Sequence, residues 1–134
     1  MAFRILEHTA DVGIEATAPD IPGLFSEAVR ATAAVLLDAE PPAGAHDRVA
    51  VAAEADDVAA LLAEVLQEAL WRFESSGWLP VDAELEVSGT TAAGTFGVVN
   101  DVTIDGPVIK AVTYHQLAVE RTADGWRATV YFDV

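Results

Sequence analysis

Val58-Ala59-Ala60-Leu61-Leu62-Ala63-Glu64-Val65-Leu66-Gln67-Glu68-Ala69-Leu70-Trp71-Arg72-Phe73 is the run with the clearest helical periodicity in this sequence. Val58, Leu61, Leu62, Val65, Ala69, Leu70 and Phe73 recur at intervals of three and four, which places them on one face of an α-helix. Asp56-Asp57 precedes the run and offers a carboxylate to the free N–H groups of the first turn, and Gly77 follows Ser76 where the helix must stop. Beyond this helix the period changes to two. Val81-Ala83-Leu85-Val87 alternates with polar residues as one strand, and Thr95 to Ile104 is expected to form another. Ile109 to Glu120 reads as a long strand and Trp126-Ala128-Val130-Phe132 as the last.

Upstream the same two periods alternate. Phe3 to Leu6 is a short apolar opening, and Val12, Ile14, Ala16 and Ala18 alternate through a half-buried strand. Asp20 before Ile21-Pro22 starts a first helix, because a proline in the first turn gives up a hydrogen bond that is missing there anyway. Phe25, Val29, Ala33, Leu36 and Leu37 form its apolar stripe with Thr32 at the edge, and Pro41-Pro42-Ala43-Gly44 follows its end. Val49, Val51 and Ala53 alternate as a strand between the helices. Strands, helix, strand, helix and four more strands is an α+β pattern, an α/β sandwich of two helices on mostly antiparallel sheet. The segments Gly89 to Gly94 and Thr122-Ala123-Asp124-Gly125 read as hairpin turns. No internal repeat or composition break divides residues 1–134, so a single domain is expected.

Of the 134 residues 26 are alanine, so the 52% hydrophobic content overstates the volume available to fill a core. Twenty-two acidic against seven basic residues leave a net charge of −15, and the acids are spread along the whole chain. Such a surface repels phosphate, which argues against sequence-specific nucleic-acid binding and favours basic protein surfaces or cations as partners. With no cysteine there is no disulfide, thiolate nucleophile or cysteine-ligated zinc. No apolar stretch has the length of a signal peptide or a membrane span, and a cytoplasmic location is expected.

Most catalytic chemistries are removed by elimination. Gly89-Thr90-Thr91-Ala92-Ala93-Gly94-Thr95 has the glycine spacing of a phosphate loop, but it lacks the lysine and the following helix. No serine has a nucleophile-elbow context. The three histidines, His8, His46 and His115, have no zinc-ligand spacing, and His46 reads as a solvated loop residue. Two places remain. Glu7-His8-Thr9-Ala10-Asp11-Val12-Gly13 gathers ionisable groups between two apolar segments, either as a polar turn or as a site. Tyr131-Phe132-Asp133-Val134 puts a side-chain carboxylate and the α-carboxylate one residue apart, either as a solvated strand end or as a pair awaiting a cation. Lys110 is the only lysine. In a regular strand it faces away from His115, so the two share a site only if a bulge intervenes or one lies past the strand end.

The segments Phe3-Arg4-Ile5-Leu6-Glu7-His8-Thr9-Ala10-Asp11-Val12-Gly13-Ile14 and Lys110-Ala111-Val112-Thr113-Tyr114-His115-Gln116-Leu117, with the ending Asp133-Val134, resemble the signatures of the archease family. Archeases assist the GTP-dependent tRNA-splicing ligase that joins RNA ends through a guanylylated intermediate. The resemblance implies an accessory protein that promotes guanylylation and multiple turnover of that ligase and has no catalytic residues of its own. It implies a metal site at Asp11 and Asp133, with the Val134 carboxylate as a third ligand and His8, Lys110 and His115 as supporting residues. All-oxygen, anionic donors suit a hard divalent cation, Ca²⁺ first, with Mg²⁺ or Mn²⁺ as alternatives. Two other functions fit the same residues. One is a free-standing metal-dependent hydrolase, which lacks a clear general base here, and the other is an acidic, chaperone-like module that masks basic surfaces.

Overall fold

The structure, a computed structural model, describes residues 1–7 and 11–134, without the Glu7 side chain. Chain order is β1 (Ala2–Glu7), β2 (Asp11–Ala18), α1 (Ile21–Leu37), β3 (Asp47–Glu54), α2 (Val58–Ser76), β4 (Leu79–Ser88), β5 (Thr91–Val99), β6 (Ala111–Thr122) and β7 (Gly125–Asp133). The strands form two sheets, one of four in the order β1-β2-β7-β6 and one of three in the order β3-β5-β4. Every pairing between these strands is antiparallel.

Both helices begin, and α2 ends, as their flanking residues dictate. The Asp20 carboxylate accepts the Gly23 N–H at 2.7 Å, and the Asp57 carboxylate accepts the Ala60 N–H at 2.8 Å. Gly77 adopts the left-handed conformation at φ 79°, and its N–H donates to the Phe73 carbonyl at 2.8 Å.

One core spans both layers. Ile14, Ala16, Val130 and Phe132 project from the four-stranded sheet, Val81, Phe96 and Val98 from the three-stranded sheet, and the helices fill the space between. α1 packs against both β2 and β4. It is therefore buried nearly all round, and its alanines Ala28, Ala31, Ala33 and Ala34 let the backbones approach. This corrects the expectation of a single apolar stripe. Thr32 is 3% exposed, not at an edge, and its hydroxyl donates to the Ala28 carbonyl at 2.8 Å, which satisfies it without water.

The other differences lie between β4 and β6. The β4–β5 connection is Gly89-Thr90 alone, and Thr91 to Gly94 belongs to β5, which ends at Val99 instead of Ile104. Ala92-Ala93-Gly94 lacks the β-branched and aromatic residues that mark a strand, and it is held in β5 by pairing with β3 on one side and β4 on the other. Residues 100–110 form an irregular connection, and β6 opens at Ala111 instead of Ile109. His46, expected to be merely solvated, is exposed but tied to this region, with its Nδ1 3.0 Å from Asn100 Oδ1.

The connection is pinned where Gly106 meets the end of α1. Its N–H donates to the Leu36 carbonyl at 3.0 Å, and a Cβ at this position would collide with the Val35 carbonyl oxygen. Glycine is thus required by contact, and it sets where Ile109 and Lys110 enter β6. Among the described residues no helix is long and apolar enough to cross a membrane. Gly106→Ala is expected to lower unfolding stability by about 1–3 kcal/mol through overpacking, measured by urea denaturation. Wild-type stability in that variant would show that the connection can shift without cost.

Candidate functional site

Sheet parity determines which side chains share the open face of the four-stranded sheet. Val12, Ile14, Val130 and Phe132 point into the core, so Asp11, Gly13, Tyr131 and Asp133 point away from it. The register pairs Asp11 directly with Asp133, and Gly13 with Tyr131. On its other side Asp133 pairs with Ala111, whose methyl group leaves the carboxylate uncovered. Residues directly opposite in antiparallel sheet have Cβ atoms roughly 4.5–5.5 Å apart, within reach of one shared cation. Asp11 is half-buried and Asp133 exposed.

No ion pair relieves these two charges among the described residues. Arg4 bonds Glu15, Arg48 bonds Asp82, Arg72 faces Glu68, and Arg127 faces Glu120. Arg30 donates to the carbonyls of Pro41, Pro42 and Val81, and the Arg121 guanidinium lies 5.2 Å from the centre of the Trp126 ring. All six arginines are thereby engaged within the fold. Facing like charges are destabilising unless a cation or donors come between them. The pair could hold a hard cation on two carboxylate groups, leaving most of its coordination sphere open. Among the described residues no cluster of three or more His, Cys, Asp or Glu side chains gathers to hold a metal.

The remaining expected site residues fall around this pair. Lys110 lies just before β6, and its N–H donates to the Asp133 carbonyl at 2.7 Å, so the tie between them runs through the backbone. Lys110 also borders an apolar cleft lined by Leu36, Leu70, Phe73, Ile104 and Ile109. His115 stands in a bulge. Thr113 pairs with Tyr131 and Ala118 with Thr129, so four residues of β6 lie opposite the single residue Val130. Gln116 takes φ 55° within it, and the His115 ring comes to 6.4 Å from the Tyr131 ring, centre to centre. The bulge thus sets His115 apart from Lys110, which precedes the strand; Lys110 borders the apolar cleft and His115 lies beside Tyr131. Val134 follows Asp133 directly, and His8 lies outside the described residues.

Two contributors were not legible as site residues in the sequence. Tyr131 covers Gly13 so closely that a Cβ there would lie 2.7 Å from Tyr131 Cε1, which makes Gly13 the seat of the ring beside the carboxylates. Gln67 on α2 accepts the Val112 N–H at 3.2 Å and secures the start of β6. The sequence signal for the bulge is His115-Gln116, two successive polar residues that interrupt the alternation of the strand.

The Archease protein family model matches residues 3–134. The chain belongs to the archease family. It is 35% identical to the probable protein archease of Mycobacterium tuberculosis, over 98% of this chain and 74% of that protein. With the protein archease of Methanopyrus kandleri it shares 32% identity over the full length of both. The fold is similar to the solution structure of Methanobacterium thermoautotrophicum protein 1598, at a TM-score of 0.72 and 25% identity over 98% of each chain. It is also similar to the crystal structure of an archease, possible chaperone, from Thermotoga maritima. There the TM-score is 0.61 at 24% identity, covering 96% of this chain and 94% of that one.

Because like charges face each other at Asp11 and Asp133, Asp11→Asn is expected to stabilise the metal-free protein by roughly 0.2–1 kcal/mol. Thermal melts in excess chelator at low salt measure this. A lower melting temperature for the variant would mean that donors already satisfy the Asp11 carboxylate.

Proposed function

We propose that this chain is a cytoplasmic accessory factor that activates a GTP-dependent RNA ligase of the tRNA-splicing type. In this reading it promotes guanylylation and repeated turnover of the ligase and catalyses no reaction of its own. A divalent cation, with Ca²⁺ the first candidate and Mg²⁺ or Mn²⁺ the alternatives, binds at Asp11 and Asp133, with the Val134 carboxylate as third ligand. The observation that carries the reading is the direct cross-strand pairing of Asp11 with Asp133 on an open sheet face, with no ion pair to either among the described residues. Membership of the archease family, and the likeness to an archease described as a possible chaperone, are consistent with it.

The chemistry of the chain's own groups supports it. Carboxylate oxygens are hard donors, and two side chains fixed by backbone pairing present them without a loop having to order first. When bound there, a divalent cation would offset the carboxylate charges and offer Lewis acidity to a phosphate oxygen of the partner's reactants. Tyr131, seated on Gly13, walls one side of the pair, and Ala111 leaves the other open toward a partner. So acidic a surface repels the phosphates of RNA, which favours the ligase over the RNA as its target.

Asp11→Ala is expected to abolish stimulation of ligase guanylylation while the far-ultraviolet circular dichroism remains that of the folded protein. Ca²⁺ is expected to raise the melting temperature of the wild type and to leave both Asp11→Ala and Asp133→Ala unmoved. Undiminished stimulation by Asp11→Ala would refute the metal-centred reading. Phosphoester turnover by the protein alone, lost in Asp133→Ala, would replace it with a hydrolase.

A further inference from the structure

Among the described residues six large apolar side chains stand exposed: Met1, Ile5, Trp71, Val108, Tyr114 and Val134. Single exposed apolar residues are ordinary, but a group of them at one place marks a contact surface. Four of these six lie on or next to segments tied to the strands that carry the Asp11–Asp133 pair. Val134 follows Asp133 in the chain. Val108 lies two residues before Lys110, whose N–H bonds the Asp133 carbonyl. Tyr114 opens the bulge, beside Thr113, the cross-strand partner of Tyr131. Trp71 is one helical turn beyond Gln67, whose side chain holds the Val112 N–H, one residue from Ala111 opposite Asp133. Their exposures are 55% for Trp71, 71% for Val108 and 64% for Tyr114, high for side chains of this size.

Two depressions lie on the same end. The apolar cleft between α2 and the 104–110 connection has a volume of about 460 Å³, enough for a large apolar side chain, with Lys110 and Glu74 at its border. A shallower one of about 410 Å³ is formed by Glu64, Gln67, Glu68 and Trp71, which share one stripe of α2.

We infer that this end of the molecule is one continuous protein-docking face. The cleft takes an apolar side chain of the partner, Trp71 and Tyr114 flank it as aromatic contacts, and Glu64 and Glu68 meet arginine or lysine residues. The occupant follows from charge and continuity. With all six arginines engaged internally and a net charge of −15, the face repels anionic lipid and a second copy of itself, and it complements a cationic protein surface. Aromatic anchors beside a desolvated pocket, rimmed by charge, are the usual anatomy of a protein interface. The identity of the partner as an RNA ligase rests on the function proposed above.

The test is the dissociation constant for that ligase, measured by isothermal titration calorimetry alongside stimulation of its guanylylation. Trp71→Ala and Val108→Asp are expected to weaken binding at least tenfold. The double substitution Glu64→Lys, Glu68→Lys is expected to weaken it and to flatten its salt dependence. Ile5→Ser, at an exposed apolar position away from the carboxylate pair, is expected to bind as the wild type does. Stimulation by Trp71→Ala should recover at saturating protein, whereas stimulation by Asp11→Ala should not. Wild-type affinity in Trp71→Ala and Val108→Asp, with wild-type stimulation intact, overturns the docking face alone. A wild type that neither binds nor stimulates overturns the function and the docking face together. Sedimentation showing a dimer that Trp71→Ala dissociates would assign the face to self-association and overturn the inference.

Discussion

The antiparallel pairing of β2 with β7 is the constraint on which the rest of the structure depends. It joins the first hairpin of the chain to the last, aligning Asp11–Ala18 with Asp133–Trp126. Without it the four-stranded sheet would be two isolated hairpins, each marginal in water. The register is set by burial, because Ile14 and Ala16 must lie on the same face as Val130 and Phe132. A slip of one residue would turn that whole set toward solvent. The same register leaves Asp11 opposite Asp133. Facing carboxylates are an unfavourable local arrangement, retained here by a pairing whose stability comes from the core beneath it.

The helices do more than fill the space between the sheets. They also satisfy the edges of those sheets, which would otherwise present unpaired backbone groups. Ser26 on α1 accepts the Ala83 N–H of edge strand β4 at 3.1 Å, and Gln67 on α2 accepts the Val112 N–H of edge strand β6 at 3.2 Å. Arg72 donates to the Ala50 carbonyl of edge strand β3 at 2.8 Å. Three edges of the two sheets are thereby blunted by single polar side chains from the helices. The arrangement also uses up cationic groups. With the arginines committed to carbonyls, to nearby acids and to Trp126, the charge of the remaining acids is left to external partners.

The proposed site and docking face therefore lie at one end. There, the carboxylate pair, the bulge of β6 and the second half of α2 come together around the entry of the 104–110 connection. Each is placed by a different tertiary contact: the β2–β7 register, the excess residues of β6 over β7, and the Gln67 bond to Val112. In the proposed role, such a rigid, outward-facing end would present the carboxylates to a partner already in place.

Local sequence determined the two helices almost to the residue, since Asp20, Asp57 and Gly77 act on neighbours within one turn. It also determined the alternation of the strands, the acidic surface and the three motifs whose resemblance led to the archease family. It did not determine the division into two sheets, the full burial of α1 with Thr32, or the extension of β5 over Thr91 to Gly94, because these depend on what packs or pairs from the other side. Nor could it decide that Lys110 would meet Asp133 through its backbone or that Tyr131 would lie on Gly13. Asp11 and Asp133 stand at opposite ends of the chain. Periodicity carries only short-range information, and it was the pairing of β2 with β7 that put them side by side.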